Sequence, residues 1–298
     1  MITSTPATAC DDAAVGNDES PLADTEVHYL RSEHVGDELK IFVGHCARNG
    51  PGASVLYLTD ANGHFGAAVD IIRSLQLARH LPPILVVGIG YRTGSLGETV
   101  VRRTRDLSPT DDTAFAELYP EQHEMGGAPR LLAFVTDELM PFVEDHFGSR
   151  EGAPAFFGHS LGGLFGMHVL FHAPTTFARY VLSSPSLWWG DHAIFRDEER
   201  YASEHDDLAA DVFIGVGADE SREGRAREAV NLPPDEREKA TLWDFDLRDD
   251  AVRMAEQLRS RGYPHLDLHY DVFAEEFHVS VPFLSLSRGL RKVFDAPR

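Results

Sequence analysis

Gly158-His159-Ser160-Leu161-Gly162 has the spacing G-x-S-x-G, and Gly163 follows directly. A serine on a sharp turn between a buried strand and a helix can serve as a nucleophile, because the strained backbone lifts its hydroxyl above the sheet. The flanks suit that turn. Ala153-Pro154-Ala155-Phe156-Phe157 is a short apolar run, and Leu164 to Leu170 can continue as a helix. Glycine two residues to either side is what such a turn requires, since side chains there would clash. The amide of Leu161 then falls at a helix N-terminus, where backbone N–H groups can hold a developing oxyanion.

A serine hydroxyl needs a base to take its proton, and the base needs an orienting carboxylate. In elbows of this kind the chain order is serine, acid, histidine. Fifteen histidines are present, and His278 is the one in the required place, after the last apolar strand and before the closing helix. His28, His80, His146 and His172 read as surface or helix-face residues, and His159 as packed beside the nucleophile. The acid should follow the strand ending at Val216-Gly217, in Ala218-Asp219-Glu220-Ser221. A Gly-x-x-acid spacing favours Glu220, a one-residue shift favours Asp219, and a Ser–His dyad is the third option. The second oxyanion donor is expected from the loop starting at Asp60, through the backbone N–H of Ala61, with Asn62 next.

The elements that must position these groups are legible as alternating strands and helices. Glu26 to Ser32 and Glu38 to Cys46 alternate as an antiparallel hairpin across His34-Val35-Gly36-Asp37. Ser54 to Asp60, Ile84 to Gly90, Tyr180 to Ser184, Val212 to Gly217 and Leu266 to Phe273 read as strands. Ala67 to His80, Leu131 to Phe147, Ala251 to Arg261 and Phe283 to Phe294 have helical spacing. Arg92 to about Pro129 shows little periodicity and reads as a long polar loop. Strands apolar on both faces, separated by helices, indicate a mostly parallel central sheet flanked by helices, with the N-terminal hairpin as its antiparallel edge. That α/β organisation is the α/β-hydrolase plan. Residues 1–24 read as a disordered acidic tail and 25–298 as one domain.

Composition narrows the partners. Lys and Arg total 27 against 48 Asp and Glu, a formal charge of −21. Nucleic acid is excluded on that balance, because phosphate contacts need clustered cations. Arginine carries nearly all the positive charge, the lysines being Lys40, Lys239 and Lys292. No apolar run is long enough to span a bilayer, and the first residues lack a basic and then apolar leader, so no membrane partner and a cytoplasmic location are expected. Cys10 and Cys46 cannot build a Cys-rich metal site. His269, Asp271 and His278 lack a completing cluster, so no metal is expected. Gly88-Ile89-Gly90-Tyr91-Arg92-Thr93-Gly94 misses the dinucleotide spacing by one residue, so no cofactor is expected either.

Beyond these readings, the chain resembles the putative-esterase (esterase D-like) branch of the α/β-hydrolases, especially the ferric-siderophore esterases related to enterobactin hydrolases. The matching pieces are Val55 to Asp60, Val86 to Tyr91, Arg103-Thr104-Arg105-Asp106-Leu107-Ser108-Pro109, Gly158 to Gly163, Ser184-Pro185-Ser186-Leu187-Trp188-Trp189 and His278 to Leu290. The resemblance implies a serine esterase acting on a small-molecule ester, with a cleft open to bulky substrates. It implies a substrate-side role for Arg103, less so for Arg105, against the alternative of a structural ion pair with Asp106 or a loop carboxylate, and cleft-lining roles for Trp188 and Trp189, against the alternative of core packing. The same triad could also serve acyl transfer to an alcohol. A hydrolase-like fold that only binds ligand is the alternative from another class. It would require a lost triad member, and none is lost.

Overall fold

The computed structural model describes residues 22–46, 53–122, 124–148, 151–234, 237 and 245–295. The tail expected over residues 1–24 lies outside them up to residue 21, Cys10 included. Among the described residues eight strands form one sheet: β1 (Thr25–Arg31), β2 (Glu38–His45), β3 (Ser54–Leu58), β4 (Ile84–Tyr91), β5 (Ala155–His159), β6 (Arg179–Ser183), β7 (Ala210–Gly217) and β8 (Leu266–Phe273). Their order across the sheet is β1-β2-β4-β3-β5-β6-β7-β8. β1 pairs antiparallel with β2, from Thr25↔Gly44 to Arg31↔Glu38, and β2 pairs antiparallel with β4. Every later pairing is parallel. This is the expected arrangement, an α/β-hydrolase sheet with the hairpin at one edge.

The helices are α1 (Ala61–Leu77), α2 (Leu96–Leu107), α3 (Thr113–Leu118), α4 (Ala128–Phe134), α5 (Met140–Phe147), α6 (Leu161–His172), α7 (Trp189–Glu204), α8 (Arg222–Ala229), α9 (Leu247–Arg261) and α10 (Val281–Asp295). None of the described helices is long and apolar enough to cross a membrane. Alternation along the strands divides the core in two. Phe157, Val181 and Phe213 face α1 and α10, meeting Ala68, Ile72, Leu286 and Leu290. Phe156, Leu182 and Val212 face the other layer with Phe165, Val169, Ile194 and Met254. α6 is buried from Leu161 through Phe171, which is why its sequence is apolar around its whole circumference rather than on one stripe.

Two expectations change. The stretch from Arg92 to Pro129 is not a structureless loop, for it contains α2 and α3. Ser95 and Asp112 cap them by accepting hydrogen bonds from Glu98 N (3.2 Å) and Phe115 N (2.9 Å). The buried side of α2 is Thr104, Asp106 and Leu107, so burial there is mostly polar and leaves no apolar period to read. The helix expected as one piece over Leu131 to Phe147 is α4 and α5 joined by a π turn at Val135–Leu139. Pro141 follows at once and cannot donate a backbone hydrogen bond. The ladder there is carried by Met140 N, which reaches back five residues to Val135 O.

The layers meet the sheet without spare room. A Cβ at Gly289 of α10 would lie 2.5 Å from Val181 Cγ1 and 2.8 Å from Phe213 Cδ1. We expect Gly289→Ala to lose about 1–3 kcal/mol by overpacking. Gly63→Ala, whose Cβ would meet nothing within 4 Å, should be neutral or up to about 1 kcal/mol stabilising. Urea denaturation of the two variants checks this, and equal midpoints would contradict it.

Candidate active site

β5 delivers the chain to Ser160 and α6 begins at Leu161. Ser160 itself adopts φ 59°, ψ −120°, a conformation that side-chain-bearing residues rarely take. The surroundings hold it there. Ser160 N donates to Ser183 O (2.9 Å), while its carbonyl accepts from Leu164 N (3.0 Å) and Ser186 N (3.1 Å). The glycines are needed sterically. A Cβ at Gly158 would sit 2.1 Å from Gly162 O, and one at Gly162 would sit 2.3 Å from Thr59 Oγ1.

His278 comes from the loop between β8 and α10. Its Nε2 lies 3.1 Å from Ser160 Oγ and its Nδ1 lies 2.6 Å from Glu220 Oε1. With the carboxylate accepting from Nδ1–H, the lone pair of Nε2 faces the serine hydroxyl. Glu220 is 1% exposed, and its Oε2 accepts from Ser184 Oγ and from Gly217 N, both at 2.6 Å. Of the two carboxylates left open by the sequence, Glu220 is the one brought to His278. Asp219 turns to the surface and pairs with Arg227 at 2.6 Å. Its backbone N–H donates to Glu276 O (3.0 Å), which ties the acid's loop to the histidine's loop.

Two more histidines surround His278. His159 is buried, with its ring 4.5 Å from that of His278 and its Nδ1 3.3 Å from Ser183 Oγ. Burial, then the neighbouring His278, His64 and Arg103, hold its pKa well below the ordinary imidazole value. His64, on the first turn of α1, lies 5.6 Å from His159 and is likewise shifted down by burial.

α1 starts six residues earlier than its apolar spacing suggests, at Ala61. Asp60 precedes Ala61 in the left-handed region (φ 55°, ψ 35°). The first amides of α1 and α6, Ala61 and Leu161, have no intrahelical acceptor. Asn62, expected as an alternative donor or substrate contact, is engaged elsewhere. Its Nδ2 donates to Tyr91 O (3.0 Å) and its Oδ1 accepts from Tyr91 N (2.7 Å), pinning α1 to the end of β4. Arg103 forms a two-pronged ion pair with Asp60 at 2.7 and 2.8 Å, on the wall of the cleft. Arg105 is instead committed to Asp106 and Asp37.

The cleft above Ser160 has a volume of about 1040 Å³ and a largely apolar lining that includes Trp188, Phe245, Phe277 and Tyr119. Trp188 stacks on Phe245 with centroids 4.6 Å apart and planes 12° apart. Trp189 borders the same cleft but is 1% exposed, donates its indole N–H to Thr110 O (2.8 Å), and packs 4.9 Å from Phe115. It braces the wall more than it offers a face. The reading of single motifs missed Asp60, His64, Ser184 and Ser186. The signal for the serines was the Ser184-Pro185-Ser186 run itself. For Asp60 it was the end of the matching piece Val55 to Asp60, read as the close of a strand because α1 was expected only from Ala67.

Comparison with known proteins agrees with this architecture. Residues 32–283 match the family model described as Putative esterase. The chain is 36% identical over 167 residues to the siderophore enterobactin esterase of Emericella nidulans, an alignment spanning 52% of this chain and 53%, about half, of that relative. It is 28% identical over 278 residues to the ferri-bacillibactin esterase BesA of Bacillus subtilis, spanning 90% and 88% of the two chains. Among solved structures, the BES protein from Bacillus cereus superposes with a TM-score of 0.76 at 26% identity, over 95% of this chain and 99% of that one. With the match covering most of its length, the chain belongs to the Putative esterase family and is an ester-hydrolysing enzyme with the α/β-hydrolase fold.

Proposed function

We propose that the enzyme cleaves carboxylic esters through an acyl-enzyme on Ser160, and that its natural substrates are siderophore esters. The observation that carries the mechanism is the continuous line from Ser160 Oγ to His278 Nε2 (3.1 Å) and from His278 Nδ1 to Glu220 (2.6 Å). His278 takes the hydroxyl proton as Ser160 Oγ attacks the ester carbonyl. The amides of Leu161 and Ala61 hold the oxyanion. His278 then gives its proton to the leaving alcohol. Water, deprotonated by His278, attacks the acyl-serine and releases the acid. The Glu220 carboxylate, accepting from Nδ1–H, stabilises the imidazolium. His159, kept uncharged, adds no second positive charge beside it.

The substrate class rests on the names of the relatives together with the cleft. Its volume of about 1040 Å³ suits a bulky ester. The stacked Trp188–Phe245 pair suits a planar acyl ring. A panel of catecholate trilactones, hydroxamate siderophore esters, feruloyl esters and p-nitrophenyl butyrate, ranked by kcat/KM, tests it. A preference for simple short esters would overturn the siderophore assignment without touching the acyl-enzyme.

For the mechanism, Ser160→Ala should lower turnover at least about 10⁴-fold and abolish labelling by a fluorophosphonate probe. Glu220→Gln should lose about 10²- to 10⁴-fold while Asp219→Asn stays within about threefold; the reverse order would reassign the acid. A second test concerns pH. Below the ordinary value of 6.5 the unfolded chain protonates at His159 while the folded chain, with its lowered pKa, does not. Stability is therefore lost as pH falls from 6.5 toward the folded-state value. His159→Gln should flatten the loss between pH 6 and 5 by up to about 1.4 kcal/mol per pH unit. Urea titrations at stepped pH read this directly, and parallel curves for the two proteins would refute it.

A further inference from the structure

At the far end of α6, His168 and His172 stand one turn apart, and α7 brings Asp197 against them. One ligand atom from each of the three lies within 4.8 Å of the others. We propose that this cluster binds a divalent transition-metal ion of the zinc type, in a site that joins α6 to α7 and takes no part in ester cleavage.

Four observations converge on it. Positions i and i+4 share a helix face, and here the two rings lie 4.1 Å apart and 31° from parallel. The tautomer of His172 is set, since its Nδ1 donates to the carbonyl of His168 (2.9 Å), leaving the Nε2 lone pair facing the cluster. A backbone carbonyl holding the far nitrogen is the usual outer support of a metal-bound histidine. His168 is 5% exposed and its Nδ1 is buried without a partner.

The fourth observation is that a cation already occupies the position. Arg200 Nη2 lies 2.7 Å from His172 Nε2 and 3.0 Å from Asp197 Oδ1, bridging the same ring nitrogen and carboxylate that a metal would bridge. The Arg200 side chain is 54% exposed and can swing into solvent. The end of α6 adds the negative pole of the helix, which favours positive charge. Two imidazoles and one carboxylate suit zinc, cobalt or nickel rather than calcium or magnesium. His168 and His172 follow Ser160 by 8 and 12 positions, about 12 and 18 Å along a helix. Such a metal cannot touch the ester.

The test uses chelator-treated full-length protein titrated with zinc chloride by calorimetry and with Co²⁺ by visible absorption. One ion per chain is expected. His172→Ala and Asp197→Asn should each weaken binding by at least about tenfold. Arg200→Ala should tighten it severalfold by removing the competing guanidinium. Turnover of p-nitrophenyl butyrate should be the same with and without metal in all four proteins. Absent binding by the wild-type protein, equal binding by His172→Ala, or weaker binding by Arg200→Ala would overturn the site. None of these outcomes bears on Ser160, so the site and the acyl-enzyme stand or fall separately.

Discussion

Ser160 is held in a backbone conformation it would not choose, at φ 59° and ψ −120°. A conformation of this kind costs about 1–3 kcal/mol and persists only where the surroundings over-determine it. Here the restraint comes from the next strand and its loop. Ser183 accepts the Ser160 amide proton, and Ser186 donates back to the Ser160 carbonyl. β6 must therefore lie in register beside β5, with His159 opposite Ser183. The glycines at 158 and 162 remove the side chains that would forbid the turn, and α6 is buried deeply enough to keep its first turn from shifting. Much of the central sheet can be read as the frame for one serine.

The same loop after β6 reaches Glu220. Ser184, itself in the left-handed region at φ 42°, donates to Glu220. Glu220 also accepts from Gly217 at the end of β7. A carboxylate with 1% exposure is tolerable only when its lone pairs are occupied, and His278, Ser184 and Gly217 occupy them. The nearby exposed Asp219 has the same chemistry but not the same surroundings. The choice between them is one of direction. A 3₁₀ turn over Ala218–Glu220 aims the second carboxylate inward and the first at solvent, where Arg227 meets it.

On the opposite side of the serine, Asp60 and Arg103 join the loop after β3 to α2. The Asp60 carboxylate lies against the elbow, 3.3 Å from where a Gly162 Cβ would stand. That pair fixes one wall of the cleft, and the Trp188–Phe245 stack forms another. The cleft walls are thus drawn from α2, the start of α7 and the segment before α9, whereas Ser160, Glu220 and His278 all sit at strand ends or in the loops that follow them.

That Ser160, His278 and one of two neighbouring carboxylates would be brought together was legible in the chain, because strand–turn–helix order, apolar runs and glycine spacing are local properties that a fold of this class turns into positions. The parallel sheet and its antiparallel edge were legible for the same reason. α2 and the π turn were not, since the buried side of α2 is polar and a single proline reshapes the helix at Pro141 without interrupting its apolar period. The preference for Glu220 over Asp219 rested on spacing alone; only folding showed which carboxylate is turned inward. The partner of Arg103 and the engagement of Asn62 with Tyr91 were likewise tertiary outcomes. Both depend on contacts between residues 29 or more positions apart, and no local pattern encodes which distant atom a side chain will meet. The histidines at 168 and 172 show the same limit. Their i, i+4 spacing is plain in the chain, but their meeting with Asp197 exists only once α7 has folded across α6.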